Sequence, residues 1–257
     1  MKSKVIAGII ILIMILRAAN MLYAQSTNTD SAWKESYKNI IRYNLSGPIV
    51  FGFGNYIIFG YERIVNPRQS FSINVGGVAF PKSAFISIDS FSLDKDTRNK
   101  GVNMSFDYRF YLQHENKYNI PHGAYAGPYI SYNHFNRTND WTFQQGSMEQ
   151  KPVTTTTKFN IFTIGAELGY QFVFWKRLAI DLVLVGPGIS VYQLKTKIEG
   201  DLTEEQKANL HSAVLQVTTQ KFPGMNYVFA DKEFDANGVL RTTSFGFRYM
   251  IHIGFMF

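Results

Sequence analysis

The chain contains no cysteine. That excludes a disulfide framework, thiolate metal sites and a thiol nucleophile, and with them a lipid-anchored form of export that needs a cysteine after cleavage. No stretch beyond the N-terminus approaches 18 uninterrupted apolar residues, so helical membrane spans are excluded. Charged residues are 18% of the chain, and the excess of basic over acidic groups is too mild for a nucleic-acid footprint. The five histidines show no pair at metal-binding spacing. Gly52-Phe53-Gly54 and Gly186-Pro187-Gly188 lack the strand-to-helix context, and the lysine or further glycine, of a phosphate loop. No cofactor is implied.

What the chain does have is aromatic residues, 16% of the total, and alternation. From Phe245 every second residue is large and apolar: Phe245, Phe247, Tyr249, Ile251, Ile253, Phe255 and Phe257. Between them stand Ser244, Gly246, Arg248, Met250, His252, Gly254 and Met256. Successive strand side chains point to opposite faces, so this is a strand with one bulky apolar face and one small or polar face. Volume decides which face points inward, because an eight-stranded barrel has room inside only for modest side chains. The pattern therefore predicts apolar outward and polar inward, as in outer-membrane barrels.

Residues 1–24 read as a signal peptide. Lys2 and Lys4 precede the apolar run Val5 to Leu16, too short for a span, and Met21-Leu22-Tyr23-Ala24 offers an exit before Gln25. Their removal takes away Lys2, Lys4 and Arg17 and leaves 23 basic against 19 acidic side chains. Residues 25–36 are a polar periplasmic lead-in, and 37–257 form the barrel.

Eight strands are predicted, at about 37–47, 55–65, 70–80, 102–112, 123–135, 158–174, 178–194 and 242–257. The faces of the fifth cannot be assigned by periodicity. Connections after strands two, four and six are short, about 4, 10 and 3 residues, while those after three, five and seven reach about 20, 22 and 47. Short periplasmic turns and long external loops follow that rule. The long external loop 195–241 carries one short helix, with Thr203 and Gln206 as a capping box, Leu210, Ala213, Val214 and Val217 at helical spacing, and Pro223-Gly224 as its stop.

The inward faces then hold Arg42, Glu62, Asp107, Arg109, Glu167, Asp181, Arg248 and His252, an interior polar network in near balance of charge. Such a network fixes register and fills the lumen. A narrow path for small or apolar solutes, with Glu167 and Asp181 as binding groups, is the alternative. A lipid-modifying enzyme would need Ser131 and His134 to meet, but residues three apart on a strand face opposite ways. No catalytic residue and no metal ligand is assigned.

Tyr249, Ile251, Ile253, Phe255 and the terminal Phe257 resemble the C-terminal signal read by the bacterial barrel-assembly machinery. The segment Phe59-Gly60-Tyr61-Glu62-Arg63, then Asn66-Pro67, then Ser70-Phe71-Ser72, resembles the opening hairpin of an uncharacterised family of Bacteroidetes outer-membrane barrels; more distantly the architecture is similar to the OmpA, OmpX and OmpW type, though the 195–241 insertion departs from the smallest of these. The resemblance implies a porin-like, eight-stranded transmembrane barrel in a Gram-negative outer membrane, in contact with lipid and lipopolysaccharide, with no known catalytic residues. The reading is a structural or surface-interaction protein acting through external loops of unknown ligand.

Overall fold

The computed structural model of the chain describes residues 37–80, 87–88, 91–112, 120–143, 151–221 and 224–257. The signal peptide and the lead-in lie outside the described residues. The strands are β1 (Asn39–Asn44), β2 (Tyr56–Asn66), β3 (Gln69–Val78), β4 (Ser87–Ile88), β5 (Phe91–Tyr111), β6 (Gly123–Phe143), β7 (Lys151–Phe174), β8 (Leu178–Glu199) and β9 (Val239–Met256). All pairings are antiparallel. β1 joins both β2 and β9, and β3 joins β5, so every strand except the two-residue β4 belongs to one closed ring of eight. Starting at Tyr43 and following register partners round the ring through Phe59, Val75, Met104, Tyr132, Phe162 and Val191 leads to Thr243, ten residues short of Ile253, the direct partner of Tyr43. That offset is the barrel's shear, and it obliges the strands to tilt.

Among the described residues three helices accompany the wall strands: α1 (Ser46–Phe51), α2 (Glu204–Lys221) and α3 (Met225–Val228). The predicted capping box forms at the start of α2, where the Thr203 N–H donates to Gln206 Oε1 at 2.9 Å and the Gln206 N–H to Thr203 Oγ1 at 3.3 Å.

Several boundaries differ from the sequence reading. The first strand stops at Asn44 and gives way to α1, so Leu45 is not part of its outer face. The segments 91–100, 136–143 and 151–157, taken for loop, are strand, and β8 runs on to Glu199. The physical reason is an exchange of faces. Across β6, β7 and β8 the outward rungs are Ile130-Ile164-Ile189 and Tyr132-Phe162-Val191, then His134-Asn160-Gln193, then Asn136-Lys158-Lys195 and Thr138-Thr156-Lys197. Beyond Tyr132 the outer face turns polar, while Phe135, Trp141, Val153, Phe159 and Leu194 point inward and are buried. An outward apolar period therefore ends at that rung although the strands continue.

β8 also changes parity. A bulge between Val183 and Gly186 switches its outward residues from Leu178, Ile180, Leu182 and Leu184 to Ile189 and Val191. The β7–β8 turn at Trp175-Lys176-Arg177 is as short as predicted, closed by the Arg177 N–H on the Phe174 carbonyl at 3.1 Å.

Candidate functional site

The interior is stacked in layers. At the end where the β1–β2 strands meet the short turns, Ile40, Ile64, Tyr111, Ile120, Tyr125, Ala179 and Met256 pack together. At the level of Val78 and Leu240 Tyr56, Phe80, Phe135, Phe159 and Tyr192 pack as an aromatic layer in the interior, with Phe229, just after α3, set into it. Above that, α2 lays Leu210, Ala213, Val214 and Val217 on the inner face of the extended β5–β8 sheet, against Leu93, Trp141, Phe143 and Val153.

Between the lower and the aromatic layers sits the polar network. Arg42, Glu62, Asp107, Arg109, Glu167, Asp181, Arg248 and His252 are all inward-facing and meet in one cluster. Arg109, Glu62 and Asp107 have no accessible surface, at 0% each. Arg109 lies at the hub: Nε is 2.8 Å from Asp107 Oδ2, Nη2 2.9 Å from Asp181 Oδ2, Nη1 3.5 Å from Glu62 Oε2, and Nε 3.7 Å from Glu167 Oε1. Arg42 reaches Asp181 at 3.1 Å, Glu62 at 3.3 Å and Asp107 at 3.6 Å. Arg248 bridges Glu167 at 2.7 Å and Asp107 at 3.1 Å. His252 Nδ1 is 3.2 Å from Asp181 Oδ2.

Neutral groups complete it. The Tyr125 hydroxyl donates to Asp181 Oδ1 at 2.6 Å, Ser72 to Asp107 at 2.6 Å, Ser70 to Glu62 at 2.7 Å, and Tyr111 to Glu62 at 3.1 Å. Arg42 also donates to Ser72 and, at 3.2 Å, to Asn74. The Arg109 and Arg248 guanidinium groups stack on the Tyr125 and Tyr129 rings at 4.3 and 4.2 Å. Ionised groups out of water need several such partners each.

Tyr125 and Tyr129 are ring partners of this layer that the sequence reading lacked, since large side chains occur on both faces of β6 and mask its period. Glycine makes their room: a Cβ on Gly169 would lie 2.3 Å from the Tyr125 ring. Likewise a Cβ on Gly60 would lie 2.1 Å from Asn74 Oδ1 and 2.9 Å from Arg42 Cγ. Opposite-charge cross-linking between β1, β2, β5, β7, β8 and β9 can hold register across the interior.

Ser131 and His134 lie mid-strand, not at a rim, because β6 continues to Phe143. Ser131 sits on an inward rung with Ser105 and Thr163, while His134 Nδ1 contacts Asn160 Oδ1 at 2.6 Å on the outward side. Among the described residues no group of three or more His, Cys, Asp and Glu is arranged to hold a metal ion. A shallow open groove of about 590 Å³ at the barrel mouth is lined by Glu233, Phe234, Asp235, Asn237, Val239 and Arg241. Tyr249, Ile251, Ile253, Phe255 and Phe257, the residues that resemble an assembly signal, are exposed on the outer wall.

No family model matches the chain, and no curated protein matches it. Among solved structures it is similar to a major outer membrane protein from Thermus thermophilus, at 9% identity and a TM-score of 0.35, covering 87% of this chain and all of that one.

Proposed function

We propose that the protein is an integral outer-membrane β-barrel with a filled, non-conducting lumen, acting as a structural or surface-interaction protein through its external end and without enzymatic activity. The observation that carries the reading is the outer wall. Along β7, Phe162, Ile164, Ala166, Leu168, Tyr170, Phe172 and Phe174 form an unbroken outward apolar row. At a tilt of about 40° that row spans about 30 Å along the barrel axis, the thickness of a bilayer's hydrocarbon core. It ends abruptly in Asn160 and Lys158 at one end and in Trp175-Lys176-Arg177 at the other.

Rings mark the border of the row nearest the β7–β8 turn. Tyr170 and Phe172 pack at 4.6 Å, and Arg177 lies over Tyr37 at 4.6 Å and Phe255 at 5.5 Å, an amphipathic girdle of the kind found at the membrane interface. An exposed apolar surface of this extent on a water-soluble barrel would drive aggregation. Inside, the charge network and the aromatic layer leave the bore to side chains. Beyond the membrane level β5–β8 and α2 stand out as a continuous, rigid platform, and its polar outer face and loops are the surface available to partners.

The test is single-channel recording of the refolded mature chain in planar bilayers, after heat-modifiable gel mobility establishes a folded barrel. The expected result is no discrete openings. Steady openings that fall in Glu167→Gln or Asp181→Asn would establish a narrow transporter instead.

A further inference from the structure

The wall of the barrel is incomplete on one side. β9 runs from Val239 to Met256, yet β1 pairs with it only between Met256 and His252. In this ladder the odd-numbered residues of β9 turn their backbone toward β1: the Phe257 N–H and carbonyl bond to Asn39, and the Ile251 carbonyl accepts from Leu45 at 2.8 Å. Past that point β1 has ended. Among the described residues, no backbone partner meets the edge groups of Tyr249, Phe247, Phe245 and Thr243. The Ile251 N–H is taken instead by the Ser46 side chain at 2.7 Å, in the place of the backbone carbonyl that a longer β1 would bring. Phe245, Phe247 and Tyr249 are 64–75% exposed, whereas Ile251, Ile253 and Phe255, where β1 is present, are 39–51% exposed. An open strand edge facing lipid leaves its N–H and C=O groups without partners and is not tolerated in a hydrocarbon environment.

The chain that should cover this edge is α1, and it is a poor helix. It has six residues and no side-chain cap on its N-cap Leu45; its sequence, Ser-Gly-Pro-Ile-Val-Phe, includes a glycine, a proline and two β-branched residues. So short a helix is marginal, and these residues weaken it further. Ile49, Val50 and the following Phe53 are exposed.

The same residues fit a strand. Extending the register from Leu45 opposite Ile251 sets Gly47 against Tyr249, Ile49 against Phe247, Phe51 against Phe245 and Phe53 against Thr243. The odd residues, apolar apart from Gly47, would then continue the outer face of Ile41 and Tyr43. Pro48 would point its missing N–H toward β2, since even-numbered β1 residues face that way, as the Lys38 carbonyl does toward Ile64. There β2 has already run out: its first residue, Tyr56, would pair with Ser46. A proline is tolerated on an edge with no partner to serve.

We propose that Leu45–Phe53 is a strap with two states, the helix α1 and a continuation of β1 zipped onto the free edge of β9, which opens and closes the barrel wall laterally. In the helical state the inward-facing Ser244, Gly246 and Arg248 are reachable from the side; in the zipped state Phe245, Phe247 and Tyr249 gain neighbours and their edge groups gain partners. Zipping exchanges the stacking of Phe51 on Tyr56, at 4.6 Å, for that ladder.

The absence of cysteine makes a direct test clean. The pairs I49C/F247C and F53C/T243C would stand directly opposite in the zipped state, at a separation suited to a disulfide. V50C/F247C would not, because Val50 would point inward. Each variant is refolded in micelles and in vesicles, checked for heat-modifiable mobility and treated with a mild oxidant; reading both media separates a failure to insert from a failure to zip. Crosslinking of the two in-register pairs, with V50C/F247C unreactive, is the expected result. Folded barrels in which neither in-register pair crosslinks overturn the proposal, and so does equal reactivity of all three pairs. In the absence of crosslinks, amide exchange at Phe245, Phe247 and Tyr249 tells what replaces it: rapid exchange means a permanently open notch, and slow exchange means an edge covered by something other than this segment.

Discussion

Arg109 shows how single residues set this molecule. It touches carboxylates from β2, β5, β7 and β8 at once, so its charge is matched only while all four strands hold register. Arg109→Met leaves those carboxylates buried and short of a partner, and such losses cost about 3–5 kcal/mol. Denaturant unfolding in detergent should read that loss as a lower midpoint, with Asp107→Asn partly offsetting it in the double variant. The inward glycines act in the opposite sense, by what they omit. Gly169→Ala drives a methyl group into the Tyr125 ring and should cost about 1–3 kcal/mol by overpacking. The eight charged or titratable members of the network were legible in the sequence because alternation alone assigns a strand's faces. Tyr125 and Tyr129 were not, because on β6 the inner and outer faces carry equally large side chains, and only the room left by Gly165 and Gly169 on the neighbouring strand explains which ring points in.

At the scale of elements, two connections invite measurement. The β7–β8 turn holds Trp175 and Lys176 at φ of 48° and 62°, the left-handed region normally given to glycine or asparagine in tight hairpin turns. Lys176→Gly should therefore stabilise the barrel by about 1 kcal/mol, read as a raised unfolding midpoint.

The other is the docking of α2. His211 stacks on Phe234 at 4.7 Å, and burial lowers the proton affinity of its ring below the ordinary imidazole value, with the Thr196 carbonyl and Asp235 acting the other way. A lowered folded-state pKa means that the undocked helix binds the proton more readily, so docking is fully favoured above the ordinary value of about 6.5 and weakens as pH falls below it. Amide exchange across 204–221 should accelerate on acidification in the wild type and lose that dependence in His211→Phe. The capping box and the buried stripe of α2 were readable from spacing. The strands 136–143 and 151–157 were not, since their outer faces are polar and their inner apolar residues become meaningful only once α2 is known to lie against them.

For the whole molecule, the outer wall makes its own prediction. In a Trp33→Phe background, Trp175, 85% exposed at the girdle, should be quenched by lipids brominated near the headgroup, whereas Trp141, 1% exposed beneath α2, should not. Equal quenching of both would contradict the placement of the membrane boundary at the Tyr132-Phe162-Val191 rung. By itself the sequence determined the eight strands of the ring, the outward apolar and inward polar faces of most of them within the apolar belt and the charged members of the interior network, because a period of two residues is a local property that needs no knowledge of neighbours. Only the tertiary structure decided the shear of ten residues, the height to which β5–β8 rise beyond the belt and the early end of β1 that leaves β9 with a bare edge. These depend on which strand lies beside which, and at what offset, and no local pattern carries that information.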